Sequence, residues 1–144
     1  MEVTFRNFQR TFPVDRDRVC RIAERTLARV RRPDGIVAVV FVGTRKIREM
    51  NRLYRAVDSV TDVLSFAPGP GPSGSADGSE MGDVVIAPAR AAEQAVDGGK
   101  TLEEEIDLLV VHGILHLAGY DHSEAKEQRR MVRLQEQILA GGTT

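Results

Sequence analysis

From Ile106 to Ala118 the sequence is apolar on nearly every face of a helix, broken only by Asp107, His112 and His116. A helix without a polar face has to be enclosed, so the rest of the 144 residues must wrap around it. Glu103, Glu104 and Glu105 precede it and suit a first helical turn, where the backbone dipole favours negative charge. Thr101 or Leu102 is expected to start the helix. The run is well short of the ~20 apolar residues that a membrane span needs, and the opening MEVTFRNFQR does not read as a signal peptide. The single Cys20 has no intramolecular partner and lies on an apolar helical stripe, so a core position and a reducing, cytoplasmic setting are expected.

The remaining elements follow from periodicity. Residues 2–8 alternate weakly and read as a strand. Asp15 or Asp17 caps a helix expected to run through about Arg32, with Val19, Ile22, Ala23, Thr26, Leu27 and Val30 as its apolar stripe. Residues 36–42 are β-branched with no polar break, the pattern of a strand covered on both faces. Thr44 is read as the cap of a short helix carrying Ile47, Met50, Leu53 and Tyr54. Residues 61–66 and 83–87 are two further strands. Between them, residues 67–82 hold three of the six prolines and five of the thirteen glycines, so a mobile loop is expected. Pro88 opens a helix to about Ala95, and a last helix spans about Ser123 to Leu139. The expected architecture is one α/β (α+β) domain over residues 1–144. A small mixed sheet of about four strands carries helices around the buried helix.

All three histidines lie within eleven residues: His112, His116 and His122. The spacing of four stacks His112 and His116 on one helical face. Gly119 then allows a left-handed turn that returns the chain towards the same point. One histidine on an apolar helix is usually a satisfied core residue. Three, with a helix-ending glycine between the second and third, fit a transition-metal site with an open position, and zinc is the first choice, with nickel, copper or iron also suited to imidazole. The spacing equals that of the metzincin proteases, whose motif places a glutamate after the first histidine. Here that position is Gly113, so the proton acceptor of proteolysis is missing and a peptidase is excluded.

The segment His112-Gly-Ile-Leu-His116-Leu-Ala-Gly119-Tyr-Asp-His122 resembles the signature of the YbeY family of single-domain, metal-dependent endoribonucleases. Asn51-Arg-Leu-Tyr54-Arg55 and Thr61-Asp-Val-Leu-Ser65-Phe66, with the later Gly82-Asp83, are similar to further family motifs, while Ala87 stands where a serine is common. The resemblance implies an α/β domain with one zinc ion on His112, His116 and His122. It also implies an important arginine at Arg55, so Arg55 and His112 are the residues expected to carry catalysis. A single-strand-specific endoribonuclease of ribosomal RNA maturation is implied, acting in late 16S rRNA 3′-end processing and ribosome quality control. Its partners would be ribosomal RNA, ribosomal particles and other assembly proteins.

Residue chemistry agrees with such a role. Residues 1–55 hold 14 Lys and Arg against 6 Asp and Glu, a net +8, whereas residues 56–144 carry −9, which suggests an anion-facing surface in the first part. Arg55 offers a rigid donor fork suited to phosphate; its bland alternative is a plain surface arginine, or one in an ion pair with Asp58 or Asp62. Asn51 is a weaker candidate, either for a phosphate contact or for supporting the site residues from behind; Asp121 and Glu124 are candidates for the general base, and Asp121 could equally orient a ligand histidine. The expected reaction is attack of metal-activated water on an RNA phosphodiester. The rival is a non-hydrolytic ribosome-assembly factor with a structural metal, and a third reading is a metallohydrolase of small substrates. Residues 67–82 are read as a tolerated insertion in preference to a flap over the site.

Overall fold

The computed structural model of the chain describes residues 1–68, 79–120 and 124–141. In chain order these form β1 (Glu2–Asn7), α1 (Arg16–Arg29), β2 (Ile36–Phe41), α2 (Thr44–Arg55), β3 (Val63–Phe66), β4 (Glu80–Ile86), α3 (Pro88–Asp97), α4 (Leu102–Leu117) and α5 (Ala125–Leu139). The four strands make one mixed sheet in the order β1-β2-β4-β3, parallel except for the antiparallel β3–β4 pair.

One face of that sheet builds the main core. Val39 pairs with Val84 and Phe41 with Ile86, and these side chains are fully buried with Val19, Ile22 and Leu27 of α1 and Val110, Ile114 and Leu115 of α4. The opposite face is covered by α2, whose Ile47 packs with Val42, Leu64, Val85 and Ala87. That cover is partial: Ile36, Ala38 and Val40 alternate with the buried residues of β2 and are only half-buried. The unbroken apolar run therefore overstates how enclosed the second face is. Leu53 and Tyr54 of α2 are exposed, with the Tyr54 ring resting edge-on against Phe66 of β3 at a centroid distance of 5.3 Å.

The enclosed helix is α4. It contacts α1, α3, α5, β3 and β4. Thr101 and Glu104 cap it reciprocally, each side chain bonding the other's backbone N–H, which satisfies two donors that a helix start leaves unpaired. Arg18 of α1 clamps onto it through two bonds to Asp107 (Nε to Oδ1 3.0 Å, Nη2 to Oδ2 2.7 Å) and one to Glu103 (2.6 Å).

Several boundaries differ from the sequence reading, among them the start of β3, which is at Val63 and not at residue 61. Helix α1 stops at Arg29, three residues early, because Arg31 adopts φ 60° and Arg32 N–H returns to Leu27 O, a left-handed closure made without glycine. Gly43, not Thr44, is the cap of α2. Strand β4 begins at Glu80 inside the expected loop. There Ile36 pairs with Glu80 and Val37 with Gly82, leaving buried Met81 as a bulge. Gly82 takes φ +123°, and a Cβ there would stand 2.0 Å from Phe66 O. Most of the expected loop, residues 69–78, lies outside the described residues. So do the start expected for α5 at Ser123, and Asp121 and His122. Cys20 is half-buried on α1.

Candidate active site

His112 and His116 project from the same side of α4. Their ring centroids are 5.0 Å apart with planes inclined at 60°. Two imidazoles sharing a tetrahedral zinc at Zn–N of about 2.0–2.1 Å have centroids roughly 5 Å apart, so this spacing fits one ion. His112 Nδ1 lies 2.7 Å from Oε1 of Gln135, a buried residue of α5. A proton on Nδ1 makes that bond and leaves Nε2 with a lone pair, the tautomer a metal ligand requires. Among the described residues no third His, Cys, Asp or Glu completes a metal-binding group. The third expected ligand, His122, is outside them, as is Asp121.

Between the histidines' segment and Arg55 runs a short polar relay. Ser65 is on β3 opposite Val84, facing α4, and its Oγ donates to Gly113 O at 3.2 Å. The carbonyl of the same Ser65 accepts from Arg55 Nη2 at 3.1 Å. Arg55, at the last turn of α2, thus reaches the edge strand that leads to residue 113, next to His112. It is exposed, and among the described residues no carboxylate pairs with it. Asp58 is taken by Arg48 (2.8 Å), whose guanidinium holds that carboxyl below the usual range through a hydrogen bond and its charge. Asp62 accepts from Thr61. The alternative of an Arg55 ion pair with either is therefore not the arrangement found.

Gly113 has a packing cause. A Cβ at this position would lie 2.5 Å from Val84 Cγ1 and 2.9 Å from Cγ2, so α4 and β4 approach too closely for any side chain. The position that holds a carboxylate in the metzincin pattern faces the sheet here. Asn51, read as a phosphate contact, is buried and donates to Ser59 O at 3.0 Å, fixing the loop after α2. Glu124 stands exposed at the start of α5.

Two participants went unnoticed in the sequence. Gln135 occupies an ordinary inward position of an amphipathic helix, and only the docking of α5 onto α4 gives it a partner. Ser65 could have been found by parity, since it shares a strand face with Val63 against α4.

Comparison with known proteins follows the same lines. Residues 4–142 match the family model described as Endoribonuclease YbeY. The chain is 38% identical over 142 residues to the Endoribonuclease YbeY of Geobacter metallireducens, covering 97% of this chain and 95% of that one. It is 46% identical over 101 residues to that of Acholeplasma laidlawii, 70% of each. The solution structure of the Thermotoga maritima protein TM1509 superposes with a TM-score of 0.64 at 28% identity, covering 95% of this chain and 86% of that one.

Proposed function

The chain belongs to the endoribonuclease YbeY family, and from that premise we propose that it is a metal-dependent endoribonuclease cutting single-stranded RNA. Its place of action is ribosomal RNA maturation, at the 3′ end of 16S rRNA, and the quality control of ribosomes. Ribosomal particles and other assembly proteins are its partners in the cytoplasm. Zinc is the ion proposed, held by His112, His116 and His122; nickel or another transition metal suits the same donors. Bound there, the ion supplies Lewis acidity towards water and towards a phosphoryl oxygen.

The chain's own residues do the rest. Gln135 fixes the tautomer and orientation of His112. Arg55 presents a guanidinium whose charge is not neutralised by its carbonyl partner, and the donors not used by Ser65 meet the phosphate as it gains negative charge. Gly113 offers no proton acceptor, so the base comes from elsewhere, with Glu124 and Asp121 the candidates. The observation that carries this reading is the paired imidazoles with their centroids 5.0 Å apart, one held by Gln135.

The test is cleavage of a defined single-stranded RNA by purified variants. His116→Ala and Arg55→Glu are each expected to lose about 100-fold or more in kcat, the usual scale for removing a group that stabilises transition-state charge. Undiminished cleavage by His116→Ala ends the metal mechanism. Among the described residues no helix is long and apolar enough to cross a membrane, which agrees with a polynucleotide substrate met in water.

A further inference from the structure

We infer that the cavity between Arg29 of α1, Arg130 and Arg133 of α5, and Tyr120 just beyond α4 is a second phosphate-binding subsite, which holds the backbone of single-stranded RNA away from the reacting phosphodiester. The inference rests on the ribonuclease reading for its ligand, and on geometry for its place.

The cavity has a volume of ≈ 320 Å³, and among the described residues it is lined by Arg29, Tyr120, Arg130, Arg133, Leu134 and Gln137, with no carboxylate in that described lining. Arg18, Arg48, Arg90 and Lys100 each pair with an acid, while other cations of the fold, Arg55 among them, have no ion pair among the described residues. None of the three arginines lining the cavity has an ion pair among the described residues. Arg29 is instead held by a neutral group, its Nη2 donating to Gln137 Oε1 at 2.8 Å, which orients the guanidinium and leaves its charge intact. Arg130 and Arg133 are three apart, so they share one side of α5. Three like charges around one space repel each other, and a phosphate relieves that repulsion while matching the guanidinium fork. The half-buried Tyr120 adds an aromatic wall on which a base can stack.

Position ties this cavity to the histidines. An adjoining cavity of ≈ 370 Å³ shares Tyr120 and Arg130, extends to Ala118 and Gly119, and carries one carboxylate, Glu127, on its wall. Gly119 N–H donates to His116 O at 3.1 Å, so this space reaches the turn at which α4 ends. A strand of RNA with one phosphodiester at the histidines can continue along this turn to the three arginines.

The experiment compares wild type with Arg130→Gln/Arg133→Gln, by fluorescence anisotropy on two labelled oligouridylates. One is long enough to pass beyond the cleavage point and the other is a trinucleotide. Both positions are exposed helix sites, so an unchanged unfolding midpoint is the folding control. The long RNA is expected to bind about tenfold more weakly, with the slope of log Kobs against log salt reduced by about 1.4, at about 0.7 per lost phosphate contact. Trinucleotide binding stays as in wild type, and Arg130→Lys/Arg133→Lys recovers most of the long-RNA affinity. Equal affinity and slope in the Gln variant overturn the subsite. Should wild type bind the long RNA in this way yet cleave nothing, the subsite stands and the ribonuclease reading falls.

Discussion

Gly113 shows how one position can carry two arguments. In the sequence it is the missing carboxylate of a protease motif; in the fold it is the point where α4 presses on β4, with Val84 where a Cβ would be. Both lead away from proteolysis, but only the second says that no side chain fits. Ala is preferred over Gly inside a helix by about 1 kcal/mol, whereas inserting a methyl into a packed core costs about 1–3 kcal/mol. The stiff, β-branched Val84 cannot move aside, so the second effect wins. Gly113→Ala is expected to lower unfolding free energy in urea by about 1–2 kcal/mol, and Val84→Ala in the same chain to recover part of that loss. A Gly113→Ala chain as stable as wild type would remove the packing account. At this scale the shared face of His112 and His116 was legible because spacing in a helix is geometry. Gln135 was not, because its role arises from a partner 23 residues away in sequence, on another helix.

Elements were legible where local chemistry marks their ends. The start of α4 is announced by Thr101 and three glutamates, and the capping box forms as those residues allow. The end of α1 carries no such mark, since an arginine takes the left-handed position usually given to glycine. The start of β4 is hidden by a bulge whose extra residue, Met81, is needed in the core. The cap of α4 also makes a pH prediction. A hydrogen bond from Thr101 N–H to the Glu104 carboxylate, at 2.9 Å, is the main cause that holds this carboxyl below its ordinary range. A carboxyl lowered on folding stabilises the fold fully above the ordinary carboxylate range, and the contribution is lost as pH falls through the lowered value. Thermal midpoints of wild type and Glu104→Gln should therefore differ near neutral pH and converge in acid. A gap that persists or widens in acid contradicts the assignment.

Across the whole molecule, charge counted along the chain misleads. The +8 of residues 1–55 does not form one face: Arg18 is spent on Asp107 and Glu103, Arg48 on Asp58, while Arg29 joins two arginines from the acidic part. Folding regroups charges by helix packing, which a segment total cannot see. The core, by contrast, was foreseeable, and it decides how the molecule should respond to loss of its proposed metal. Side chains of α1, β2, β4, α4 and α5 interlock without either described histidine among the buried set. A chain with that core should remain folded when chelated and unfold in one cooperative transition. Adding zinc at about 100 times its Kd contributes about 2.7 kcal/mol by linkage, which for a domain of this size raises the midpoint by roughly 5–10 °C. His122→Ala should abolish most of that zinc-induced rise, and RNA cleavage should fall to background on chelation while the fold persists. If chelation instead dissolves the cooperative transition, the metal is a structural member, since its binding is then coupled to folding. The non-hydrolytic assembly factor would then be the better reading of the same three histidines.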